Sequence, residues 1–154
     1  MLPSPTKILI MNRFLTVLLS IFLLTACSSD NINQNNPYLL DVNVSFTVNT
    51  SLPQYTNLNF PSNPVYVSNY GNGGIVIINT GSGYVAWDAT DPNHIRNTDC
   101  TSMDIKGLTL VCDCEDNTYD LFTGNFIKGD DLKYTLYNYR VTELGQGVLK
   151  VFNN

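Results

Sequence analysis

Val111 to Gly124 reads V-C-D-C-E-D-N-T-Y-D-L-F-T-G, and the reading of the whole chain depends on it. Two cysteines one residue apart open the stretch, and a Y-D-L-F-T-G turn closes it. Leu108 to Val111 is a short apolar run that predicts a strand delivering Cys112, with Lys106-Gly107 as the turn before it. Upstream lies a second distinctive piece, Tyr84 to His94, read as Y-V-A-W-D-A-T-D-P-N-H.

The segments around these two pieces read as strands and turns. Val42, Val44, Phe46 and Val48 alternate with Asn43, Ser45, Thr47 and Asn49, a period of two that predicts a strand with one buried face. Leu52 to Pro64 holds three prolines and reads as a long irregular connection. Val65 to Val67 is a short strand. Gly71-Asn72-Gly73-Gly74 reads as a turn; a phosphate cradle would need a following helix and a lysine, and neither is there. Ile75 to Ile78 is an apolar run expected of a core strand, Thr80 to Gly83 turns it, and Tyr84 to Trp87 returns as a hairpin. Leu132 to Val141 and Val148 to Phe152 predict a last hairpin around Gly145-Gln146-Gly147. No window sustains helical periodicity, so the fold class is all-β.

Laid against known families, the two distinctive pieces resemble the cluster-binding loops of a Rieske [2Fe–2S] domain, A-x-D-x-x-C-P-H followed by C-P-x-H-G-x-x-F-D-x-x-T-G. Ala86 and Asp88 match the lead-in, and Asp91-Pro92-Asn93 falls on C-P-H. Cys112-Asp113-Cys114-Glu115 falls on C-P-x-H, Tyr119-Asp120-Leu121 on F-D-L, and Thr123-Gly124 on T-G. The resemblance spans roughly Val65 to Asn153. It implies an antiparallel β-sandwich or barrel with an inserted two-loop subdomain of the cluster-binding type, here residues 86–127 of a domain spanning 38–154. The four ligand-equivalent positions are then Asp91, Asn93, Cys112 and Glu115, and only Cys112 keeps its ligand type. A Rieske cluster takes two thiolates on one iron and two imidazoles on the other. The resemblance therefore implies the scaffold without the ligands.

The start of the chain predicts export. Arg13 precedes the largely apolar Phe14 to Leu24, whose length fits a signal segment and falls short of the roughly 20 residues a bilayer span takes. Met11 is the expected true start. Leu24-Thr25-Ala26-Cys27 resembles a bacterial lipobox, which implies removal of residues 1–26 and lipidation of Cys27. Residues 27–37 are polar and read as a flexible tether. The expected location is the bacterial cell envelope, with a lipid anchor in a membrane, the outer one first, and the domain facing the periplasm.

What remains after residue 26 is one domain's worth of chain. It carries 6 basic and 13 acidic side chains, a net charge of −7. Such a surface argues against nucleic acid or an anionic lipid face as partner. With Cys27 lipidated, Cys100, Cys112 and Cys114 allow one bridge and one free thiol. A Cys112–Cys114 bridge is excluded by strain across a single residue, which leaves Cys100 paired with Cys114 or with Cys112. Rieske proteins of cytochrome bc-type complexes clamp their loops with a disulfide, and that resemblance implies Cys100–Cys114.

Chemistry beyond this is sparse. His94, the only histidine, sits one residue past the expected ligand position; it reads as an exposed loop residue, and as a partner of Cys112 on a metal only if the loop slips by one. No base–nucleophile pair is present. Asp113, Glu115 and Asp116 surround Cys112 in sequence and are expected to raise its pKa, which argues against a reactive thiolate. Asp113, Glu115, Asp116 and Asp120 could gather a calcium ion, although their spacing does not match an EF-hand loop. Three functions follow, none enzymatic beyond an electron-transfer subunit. The first is a structural or interaction module that has lost its cluster and binds no metal. The second is an electron-transfer protein with a 2Fe–2S cluster on altered ligands. The third is an acidic cation-binding domain.

Overall fold

The computed structural model describes residues 36–153. Cys27, the signal segment and most of the tether lie outside them. The fold is all-β: the described residues form ten strands in two antiparallel sheets and one short 3-10 helix.

Strand β1 is Ser45–Asn49, β2 Val65–Val67, β3 Ile75–Asn79 and β4 Tyr84–Asp88. Four three-residue strands follow: β5 Asp104–Lys106, β6 Thr109–Val111, β7 Thr118–Asp120 and β8 Phe126–Lys128. The long β9, Asn138–Gly145, and β10, Val148–Phe152, complete the set. The larger sheet has the order β1-β10-β9-β4-β3-β2, the smaller one β5-β6-β7-β8. Strands β4 and β9 are hydrogen-bonded neighbours, with Ala86 opposite Tyr139 and Trp87 opposite Asn138. The whole small sheet is therefore inserted between two adjacent strands of the large one.

Apolar patterning explains how the sheets stack. The run Ile75-Val76-Ile77-Ile78 in β3 is fully buried on both faces. Ile75 and Ile77 join Val44, Phe46, Leu58, Ala86 and Leu149 in one core. Val76 and Ile78 turn the other way and join Trp87, Met103, Leu110, Tyr119 and Leu121 in a second. A strand covered on both sides reads as an unbroken apolar run, because successive side chains point to opposite faces. The second core is where the small sheet packs. Trp87 Nε1 donates to the Leu121 carbonyl at 2.8 Å across that interface. Gly124 lies against the same ring: its φ is +72°, and a Cβ there would come within 2.6 Å of Trp87. The T-G of the motif is thus fixed by backbone conformation and by lack of space.

Several expected elements shift. Val44, Phe46 and Val48 are buried as the alternation predicts, but pairing starts at Ser45. Leu52 to Pro64 is not wholly irregular, since Pro53–Asn59 forms a 3-10 helix with proline in its first turn, where no N–H is missed. The last hairpin starts later than expected: Leu132 to Tyr137 is not strand, and β9 begins at Asn138. Strand β7 overlaps the expected Y-D-L-F-T-G turn, and β8 at Phe126–Lys128 has no counterpart in the sequence reading. Asn36, assigned to the tether, is buried and donates to the Pro92 carbonyl at 2.8 Å. The end of that segment is docked onto the first loop.

Candidate functional site at the loop tip

The first loop leaves β4 at Asp88, and the second joins β6 to β7. Both meet at one end of the small sheet. Cys100 and Cys114 are joined by a disulfide, with Cα atoms 6.4 Å apart, so the pairing implied by the family resemblance is present. Cys112 is the free thiol and is buried.

Asp91 and Asn93 are held by other polar groups. The Asp91 carboxylate is only 5% exposed. Its Oδ1 accepts from the Tyr119 hydroxyl at 2.6 Å and from the Asn93 backbone N–H at 2.8 Å. Its Oδ2 accepts from Asn117 Nδ2 at 2.9 Å. The Asn93 amide donates to Tyr119 Oη at 2.9 Å and to the Tyr134 carbonyl at 2.7 Å. Its oxygen accepts from the backbone N–H groups of Lys133 and Tyr134 at 2.8 and 2.9 Å. An amide has two donors and two acceptor sites, so every one of them is used. Tyr119 is pushed well above the ordinary tyrosine range, first by burial and then by its bond to the Asp91 carboxylate.

Cys112 sits beside this network. Burial raises its thiol pKa most, and the hydrogen-bonded Asp91 carboxylate adds to the rise. The backbone amides of Cys114 and Glu115 act in the opposite sense. The direction is the expected one but the main cause is burial, and the side-chain carboxylates of Asp113, Glu115 and Asp116 are not among the causes. Glu115 is exposed and pairs with His94, Nε2 to Oε1 3.4 Å. His94 is thus drawn to the second loop and is not the freely exposed residue its Pro-Asn context suggests.

The four acids weighed as a calcium site are dispersed. Asp113 binds Lys106 Nζ at 2.6 Å, and Asp116 lies 3.7 Å from Lys128 Nζ. Asp120 accepts from the N–H groups of Phe122 and Thr123 in its own turn, at 3.1 and 2.8 Å. Among the described residues, no three His, Cys, Asp or Glu side chains lie close enough to hold a metal ion. The Gly71–Gly74 turn does hold an anion, an internal one: Asn72 and Gly73 donate their backbone N–H groups to Asp88 at 2.7 and 3.3 Å.

A [2Fe–2S] cluster of the Rieske type takes two thiolates and two imidazoles, and other [2Fe–2S] clusters four thiolates. One buried thiol, one carboxylate and one amide that are already hydrogen-bonded, and one exposed carboxylate match neither set. Next to the network a groove of about 590 Å³ opens between Tyr38, His94, Glu115, Asp131 and Tyr134. Sequence reasoning missed Asn117 and the two backbone groups at Lys133 and Tyr134. Tyr119 was visible only as an aromatic of the F-D-L match; its hydroxyl, the feature that a phenylalanine lacks, was the available signal.

No family model matches the chain, and no curated protein matches it. Among solved structures, it aligns with one assigned as the small subunit of an NADH-dependent nitrite reductase from Mycobacterium tuberculosis. The TM-score is 0.43 and the identity 17%, over 74% of this chain and 98% of that one.

Proposed function

We propose that the protein is a Rieske-like module of the bacterial envelope that carries no [2Fe–2S] cluster and acts as a structural or interaction domain, held to a membrane by lipid on Cys27. The observation that carries this reading is the Asp91 carboxylate, whose two oxygens are both committed to internal donors at a position where the family places a thiolate. The lipobox-like Leu24 to Cys27 and the apolar run before it support the anchor. Two or more acyl chains hold a protein stably on a bilayer. The disulfide suits an exported compartment.

Iron content, visible absorbance and a thiol count on anaerobically purified protein test the reading. The expected result is a colourless protein with negligible iron and one thiol titrating after denaturation. Stoichiometric iron with visible absorption and a reduced-state EPR signal would return the protein to electron transfer. Mass spectrometry of the membrane fraction tests lipidation separately: the expected N-terminal fragment begins at an acylated Cys27.

A further inference from the structure

We infer, on the reading that no cluster is carried, that the hydrogen-bonded set Asp91, Asn93, Asn117 and Tyr119 is a metal-free latch that fastens the tip. A cluster bridging two loops joins them mechanically by gripping a pair of side chains from each. The latch joins three segments instead. Asp91 and Asn93 come from the first loop, and Asn117 and Tyr119 from the second loop and the strand after it. The third segment is the Lys133–Tyr134 backbone, reached through Asn93.

The set is closed. Asp91 accepts three hydrogen bonds, Tyr119 donates one and accepts one, and Asn93 uses all its capacity. A fully satisfied buried network rigidifies its surroundings, whereas a half-satisfied one leaves desolvated groups unpaired. Metal binding by Asp91 would release Tyr119 and Asn117 from their acceptor inside the protein, so the latch and a metal compete for the same oxygens. Asn93, Asn117 and Tyr134 also line the groove, so the latch sets that groove's walls without a bound ion.

Native-state hydrogen exchange on the full mature protein tests this, with Asp91→Ala and Tyr119→Phe as variants. The amides to follow are Lys133 and Tyr134, which bond Asn93 and not the substituted groups, and Cys112, which bonds the Asn117 carbonyl. Both variants are expected to speed exchange at these amides by about tenfold or more, with Ile77 in β3 unchanged. The double variant should exchange no faster than Asp91→Ala alone, because both changes open one network. A chelator should leave the wild-type pattern unaltered. Unchanged exchange at Lys133 and Tyr134 in iron-free Tyr119→Phe protein overturns the latch and leaves the cluster-free reading standing. Iron in the wild-type protein overturns that reading instead. Should Asp91→Ala fail to fold, Tyr119→Phe decides alone, since it keeps the ring packed and removes one hydroxyl.

Discussion

Two buried carboxylates three positions apart, Asp88 and Asp91, each accept a hydrogen bond from a buried tyrosine, yet they fasten different things. Asp88 serves the large sheet. It is fully buried and takes the Tyr139 hydroxyl at 2.8 Å, both nitrogens of Asn72, and the backbone N–H groups of Gly73 and Thr90. Most of those donors are main chain, so any residue but proline at 72 or 90 carries the N–H they need. Asp91 serves the tip, and two of its three donors are side chains, Tyr119 and Asn117. One knot is tied by the backbone of a glycine-rich turn, the other by particular residue types. The first rests on glycines that leave no room for a Cβ, which would come within 2.6 Å of a neighbour at Gly71, Gly73 or Gly74; the second has to be invented residue by residue.

The contrast can be broken most forcefully at Asp88. Asp88→Ala strands three backbone donors, the Asn72 amide and a tyrosine in the interior, and we expect it to cost about 4 kcal/mol in a denaturant titration, more than Asp91→Ala does. Equal losses would mean that the two knots are equivalent. Removing the disulfide with Cys100→Ala and Cys114→Ala together should cost about 3 kcal/mol on the loop-entropy model. With the latch intact, Cys112 should stay unreactive towards an alkylating reagent in the folded double variant; rapid labelling would show that the bridge alone keeps that thiol covered.

Alkaline titration sharpens the comparison further. Tyr119 and Tyr139 are both raised, chiefly by burial, so the folded state keeps them neutral while the unfolded chain ionises its tyrosines near about pH 10. Their contribution is whole below that pH and is lost as pH rises above it. Tyr119→Phe and Tyr139→Phe should each cost about 1 to 2 kcal/mol at neutral pH and flatten the alkaline loss. A variant with an unchanged alkaline limb would place its tyrosine outside the linkage. The smallest effect belongs to Glu115→Gln. Its partner His94 faces an exposed carboxylate at 3.4 Å, and such surface pairs contribute less than about 1 kcal/mol; a larger shift in melting temperature would reveal a fastening role for the pair.

Much of the scaffold was legible. The alternation from Val42 to Val48, the apolar run in β3, the Gly83-flanked hairpin and the turn at Lys106-Gly107 all carry local signals that the folded chain obeys. Strands β7 and β8 were not legible, because Thr118–Asp120 and Phe126–Lys128 lack the paired valines that mark the equally short Val65–Val67. Pairing with a neighbour, not local preference, makes them strands. The tip was legible only in outline. The motif placed Asp91, Asn93, Cys112 and Glu115 at equivalent positions, but what Asp91 touches depends on residues 26 and 28 positions away. Hydrogen bonding at that separation leaves no pattern along the chain.

Trp87 and Asn138 face each other across adjacent strands, with the small sheet leaving and returning between them. A short linker could bridge that gap, so topology alone would permit the appendage to be deleted. Its footprint forbids this: Val76, Ile78 and the Trp87 ring would become a wet, greasy rear wall. Evolution can therefore repaint the fingertips of this insertion while remaining unable to amputate the finger.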